Sequence, residues 1–223
     1  AKLRRVRDYT QTSAVVISHM HADHFFDLVP YAFALVYAPR QQPVPVARWS
    51  GVAERPRPAL YLPPGGGEVV RNVVNAIGAE GLIDAAFEVR EYDPVASLEI
   101  GALKLNFQPV PHYIPTWAIS FADGSGARCV YGADHRPNDE IVEFAREADL
   151  LIMEATLPRP ERSGERGHMT PSESGDHAGR TGAKRLVLTH ISDELDHLWA
   201  KSEAERTFSG PVAVAGEGAV YAL

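Results

Sequence analysis

Cysteine is nearly missing from this chain: Cys129 is the only one in 223 residues. An internal disulfide is therefore excluded, and a reducing compartment, with a cytoplasmic location, is expected. Long apolar runs are missing too. No stretch approaches the ~20 residues that a membrane-spanning helix needs, so no membrane partner is expected. Positive charge is scarce, with 22 Lys and Arg against 29 Asp and Glu and a formal net charge of −7. Such a balance disfavours a broad nucleic-acid surface, since phosphate-backbone binders are usually basic. A small anionic substrate stays compatible, because bound divalent cations would reverse the sign locally. No internal repeat and no low-complexity tail stand out, which removes solenoids and disordered linkers.

What is present suits one α/β domain over residues 1–223. Hydrophobic residues make up 45% and charged residues 23% of the chain, enough apolar material for a substantial core. The patterning predicts strands at 14–18, 59–62, 87–91, 103–110, 118–122, 128–132, 150–154, 186–189 and 219–223. It predicts helices at 27–37, 68–77, 139–147, 172–181 and 194–207, with Asn138 and Pro171 at helix starts. A short helix fits within 1–9. Three segments read as loops: 39–58 with five prolines, the Pro-Gly run 63–67, and the charged stretch 158–167.

The most informative segment is His19-Met20-His21-Ala22-Asp23-His24, at the end of the apolar run 14–18. Residues two apart at a strand end point the same way, so His19 and His21 suit one ion. After the chain turns, Asp23 and His24 suit a second. Two neighbouring ions need more ligands, and three candidates sit where an apolar strand hands over to a loop: His112 after 103–110, Asp134 after 128–132, and His190 after 186–189. Sheet rims are where α/β proteins place functional groups. His135 beside Asp134 either supports a ligand or faces solvent. His177 and His197 fall in helical patterns and read as surface or packing residues.

The hexapeptide, followed in order by His112, Asp134 and His190, resembles the metallo-β-lactamase superfamily of binuclear hydrolases. The resemblance covers nearly the whole chain and implies a four-layer αβ/βα sandwich. It further implies that His19, His21 and His112 hold one divalent ion, that Asp23, His24 and His190 hold the other, and that Asp134 bridges them. This mixed nitrogen and oxygen set suits zinc and also tolerates manganese or iron. Each ligating imidazole should donate its other N–H to an acceptor, for which Glu154 is placed at the end of a strand. Flavodiiron members carry Glu where this chain has His21, and β-lactamases proper often carry Cys where Asp134 stands. Gly167-His168-Met169-Thr170-Pro171-Ser172-Glu173, ahead of Leu186-Val187-Leu188-Thr189-His190, looks instead like the phosphodiesterase branch, with ribonuclease Z and atypical cyclic-nucleotide phosphodiesterases. In that branch a His-x-Thr motif before a helix brings a histidine to the scissile phosphate, a role that falls on His168. The implied chemistry is phosphodiester hydrolysis by a metal-activated water, oriented or deprotonated by Asp23 and assisted by His168.

The sequence departs from the family in two places. Asp134 follows His112 by only 22 positions, which leaves no room for the long arm of transfer-RNA-processing members. With the negative charge, this predicts a small ester substrate and no transfer RNA. Only 18 residues precede the hexapeptide, where relatives place two or three strands, so the sheet is expected to lack its first strands and the chain to be N-terminally incomplete. Arg40, Trp49, Arg55 and Arg57 either cap a base or phosphate or are scattered surface cations. Tyr113 and Trp117 either line the pocket or pack beneath it. Other readings of the same ligands are a lactone or aryl sulfate ester hydrolase and a non-catalytic metal-binding scaffold. The resemblance also allows a homodimer, though no interface signature stands in the sequence.

Overall fold

A computed structural model describes residues 2–37 and 57–221. The chain divides into two compact units, Ala1–Asp93 and Pro94–Leu223. Both are mixed α/β, the class the sequence predicts. Among the described residues no helix is long and apolar enough to cross a membrane.

The first unit runs α1 (Leu3–Val6), a 3-10 turn (Tyr9–Gln11), β1 (Ala14–Val16), α2 (Ala22–Phe25), α3 (Leu28–Tyr37), β2 (Ala59–Leu62), α4 (Gly66–Ala76), α5 (Leu82–Ala86) and β3 (Glu88–Glu91). Its sheet has the order β1-β2-β3 and is parallel throughout. Parallel neighbours need crossovers, and α4 with α5 makes the one between β2 and β3. β2 is central and almost wholly buried, as is usual where both faces of a parallel strand are covered. Phe25, Leu28, Leu35, Leu60, Leu62, Ile83 and Phe87 belong to the core of this unit.

The Pro-Gly run is not the loop expected. Gly65 is left-handed (φ 79°) and α4 starts at Gly66. The carboxylate of Glu91 accepts from the backbone N–H groups of Gly65 and Gly67, both at 3.0 Å. It thereby satisfies helix-start donors from a neighbouring strand, and it adds a negative charge at the positive end of the helix. Arg57 is likewise structural: its guanidinium donates to the carbonyls of Asp84 (2.8 Å) and Phe87 (3.1 Å). Arg40, Trp49 and Arg55 lie outside the described residues, as does most of the proline-rich segment 39–58.

The second unit runs β4 (Leu98–Ile100), β5 (Leu103–Val110), β6 (Thr116–Ala122), β7 (Arg128–Tyr131), α6 (Asp139–Phe144), β8 (Leu150–Glu154), α7 (Pro171–Thr181), β9 (Leu186–Thr189), α8 (His197–Glu205) and β10 (Val212–Val214). Its seven-stranded sheet has the order β10-β9-β8-β7-β6-β5-β4. β4 to β7 form an antiparallel meander, and β7 to β10 pair in parallel through the crossovers α6, α7 and α8. α7 shows how local sequence sets an element. Thr170 and Glu173 form a reciprocal capping box, Pro171 occupies the first turn, and left-handed Gly182 ends the helix. Gly175 lets α8 approach, since a Cβ there would lie 2.4 Å from the carbonyl oxygen of Ala204.

Several boundaries differ from expectation for visible reasons. α6 stops at Phe144, and left-handed Glu147 (φ 56°) lies beyond it. α8 starts at His197 because Asp196 caps it through the Trp199 N–H at 2.7 Å. The strand expected at 219–223 is absent over 219–221. The final strand is β10, and the chain turns afterwards at Gly218 (φ 76°). β4 and α5 are too short to have stood out as periodic runs.

Candidate functional site: two sets of ligand-type side chains

In the first unit, β1 ends in a turn that gathers the histidines of the hexapeptide. Pairing continues one residue past the strand through Ile17 N–H to Tyr61 O (2.9 Å). The buried Tyr92 hydroxyl then donates to the Ile17 carbonyl at 3.0 Å, and burial raises its pKa. The strand end is thus fixed from two sides. His19 is fully buried, with Nδ1 3.0 Å from Ser18 Oγ. His21 is the residue before α2, and its extended backbone (ψ 148°) makes the turn. The His19 ring centroid lies 5.0 Å from His21 and 4.0 Å from His24. His24 Nε2 is 3.5 Å from Asp23 Oδ2, whose side chain is 63% exposed. Buried Phe25 anchors α2 beneath them.

In the second unit the ligand-type residues come from four strand ends. His112 follows β5, Asp134 follows β7, Glu154 closes β8 and His190 follows β9. Donor atoms of His112, Asp134 and His168 lie within 4.8 Å of one another, as do those of Glu154, His168 and His190. His190 Nε2 is 3.3 Å from Asp134 Oδ2. His190 (φ 49°) and Ala133 (φ 58°) are both left-handed. Side-chain-bearing residues adopt this conformation at a cost of about 1–3 kcal/mol each, an expense typical of functional sites.

Glu154 is the hub, with a fully buried carboxylate. It accepts from the His135 backbone N–H (2.8 Å), the Met169 backbone N–H (3.1 Å), the Thr156 hydroxyl (2.6 Å) and His168 Nδ1 (3.0 Å). Four donors match what a carboxylate can accept. Thr156 extends the network. While its hydroxyl donates to Glu154, its oxygen accepts from His190 Nδ1 at 2.8 Å. His112 Nδ1 donates to the Gly167 carbonyl at 2.7 Å. In His19, His112 and His190, then, Nδ1 meets a protein partner, the arrangement in which Nε2 would be the nitrogen offered to a metal. Glu154 serves His190 through Thr156 and serves His168 directly. Thr156 escaped the sequence reading, although it sits two residues past Glu154, the spacing of one strand face.

His168 is held rather than solvated. Burial works against charge on its ring, but the hydrogen bond and charge of Glu154, with Asp134 behind them, raise its pKa above the ordinary histidine value. Arg166 fixes the approach to α7, donating from Nε to the His168 carbonyl (3.0 Å) and from Nη2 to Glu173. His135 is fully buried, and burial pushes its pKa down. Its ring packs while its backbone serves Glu154, so it does not face solvent. His177 is also buried, and burial lowers its pKa, while His197 is exposed at the start of α8. Trp117 packs in β6. Tyr113 is 43% exposed and lies over Gly167, where a Cβ would come within 2.3 Å of its ring. Its centroid is 4.9 Å from His112 and 5.8 Å from His168, so it lines the site.

The family model for the β-lactamase superfamily domain matches residues 1–191. A probable metallo-hydrolase of Bacillus subtilis, YhfI, is 30% identical over 208 residues, spanning 93% of this chain and 78% of its own length. Its crystal structure superposes with a TM-score of 0.76 over 94% of this chain and 77% of that one, at 27% identity. Ribonuclease Z of Myxococcus xanthus is 28% identical over 242 residues, 92% of this chain and 79% of its own. The chain belongs to the metallo-β-lactamase superfamily of metallo-hydrolases.

Proposed function

We propose that this hydrolase cleaves a small, nucleotide-like phosphodiester with two divalent ions. His19, His21 and His112 would hold one ion, Asp23, His24 and His190 the other, and Asp134 would bridge them. The donor chemistry fits: three of these imidazoles have Nδ1 engaged by the protein, and the Gly167 carbonyl holds the proton of His112 on Nδ1. Mixed imidazole and carboxylate donors favour zinc, with manganese or iron tolerated.

When bound, the ions supply Lewis acidity and lower the pKa of a water. Asp23 then orients the attacking water and accepts its proton. His168, charged through Glu154, donates to the leaving oxygen or clamps the phosphoryl group. The observation that carries the phosphodiester reading is the Glu154–His168 pair (3.0 Å), which sets an imidazole donor held by a buried carboxylate beside His112 and His190. Relatives named ribonuclease Z support it, since an RNA chain is a polyphosphodiester. A small substrate is preferred to transfer RNA because residues 113–133 are taken up by the hairpin of β6 and β7, with no arm. A reducing cytoplasm suits Cys129, a half-buried thiol whose pKa burial pushes up to about 11.

Elemental analysis paired with a panel of bis(p-nitrophenyl) phosphate, a lactone and an aryl sulfate tests this reading. Two metals per chain and preference for the diester are expected. Preference for the lactone or the sulfate, or metal without turnover, would replace it.

A further inference from the structure

One feature near His168 has no part in the chemistry above. The loop leaving Thr156 borders an open surface hollow of about 480 Å³, lined by half-buried Leu157 and the exposed residues Arg159, Glu161, Arg162 and Ser163. The Leu157 backbone N–H donates to the Met169 carbonyl at 2.9 Å, so the wall of the hollow is tied to the residue beside His168. Among the described residues, Arg159 and Arg162 have neither a hydrogen bond nor an ion pair. Other arginines nearby are engaged, Arg166 with Glu173 and Arg136 with Glu165 at 3.8 Å. Pro158 and Pro160 flank Arg159 and restrict its backbone. Glu161 is the only carboxylate of the lining, which leaves the hollow net positive on a chain of net charge −7.

We propose that this hollow is a second anion subsite, in which Arg159 and Arg162 bind a phosphate monoester that the substrate carries away from the scissile diester. The preferred substrate is then a small phosphodiester bearing an additional terminal phosphate. Guanidinium forks match phosphate oxygens in pairs, which a lone surface cation does not. This inference rests on the phosphodiesterase reading.

The test compares the dinucleotide TpT with its 5′-phosphorylated form pTpT on the metal-loaded full chain. The expected KM ratio of TpT to pTpT is about 10 or more, the scale of charge-assisted hydrogen bonds. In the double variant Arg159→Ala/Arg162→Ala the ratio falls to about 1, because the phosphate has lost its forks. Glu161→Gln raises the ratio above that of the parent. A ratio near 1 in the parent, or one unchanged in the double variant, overturns the proposal. A second arm needs no turnover: calorimetry of the metal-free chain with thymidine 5′-phosphate and with thymidine. Binding that requires the phosphate and is lost in the double variant supports the subsite even if diesters prove not to be the substrate class. Binding that survives in the double variant contradicts it. Inorganic phosphate that binds without altering the KM ratio marks a free-anion site and also overturns the proposal.

Discussion

The two units supply metal-type ligands in opposite ways. In the first, four such side chains come from six consecutive residues, on a strand end and a four-residue helix, and Asp23 stands mostly in solvent. In the second, the ligands come from distant strand ends, and one buried carboxylate, Glu154, holds His168 directly and His190 through Thr156. Adjacent positions on one turn gather the first set, and Tyr61 and Tyr92 fix only the strand end that precedes it. The second needs long-range hydrogen bonds, and its parts depend on one another. Substitutions in the first unit should therefore affect chemistry with little effect on folding, and those in the second should affect both.

The strongest break in that contrast would come from Asp134. Asp134→Ala is expected to lower kcat/KM by about 10³-fold or more, on the scale of losing a preorganised charge stabiliser, and to drop metal below two per chain. Steady-state kinetics with elemental analysis checks it. Unchanged metal content would show that Asp134 is not a ligand.

Glu154 and Asp23 sharpen the comparison directly. Glu154→Ala leaves buried N–H donors of His135, Met169 and His168 without their acceptor, at a cost of about 3–5 kcal/mol in total. Asp23→Ala, at an exposed carboxylate, should change the stability of the metal-free chain by about 0.5 kcal/mol or less while lowering turnover about 10²- to 10⁴-fold. Urea denaturation of both variants decides this. Equal destabilisation would erase the distinction between the units.

Smaller effects probe the orientation of single groups. Thr156→Val removes both the donor to Glu154 and the acceptor for His190 Nδ1, and should weaken metal binding by about 10- to 100-fold. Thr156→Ser should restore it, which competition with a chromophoric chelator would read. Gly167→Ala forces a methyl into the Tyr113 ring, costs about 1–3 kcal/mol, and loosens the carbonyl that His112 uses. A thermal melt unchanged from the parent would mean that Tyr113 simply swings away.

The legible and illegible parts of the sequence divide along the same line. His19, His21, Asp23 and His24 are visible because their relation is one of adjacent positions. His112, Asp134 and His190 are visible because each ends an apolar strand. Thr156 was invisible, since its partners Glu154 and His190 meet only across paired β8 and β9. The left-handed backbone of His190 was equally hidden, because no glycine marks it. The role of Glu91 at the start of α4 depends on the pairing of β2 with β3, so a run of prolines and glycines read as a loop. Arg57 read as either a substrate cap or a surface cation because its carbonyl partners lie 27 and 30 positions away.

Metal stoichiometry measured on the zinc-reconstituted, exhaustively dialysed full chain, beside its His19→Ala and His190→Ala variants, tests the binuclear centre most directly. Two zinc ions per chain in the parent and about one in each variant are expected, as each variant removes a ligand from a different ion. A parent that retains one zinc or none, or variants that both keep two, would contradict the shared centre.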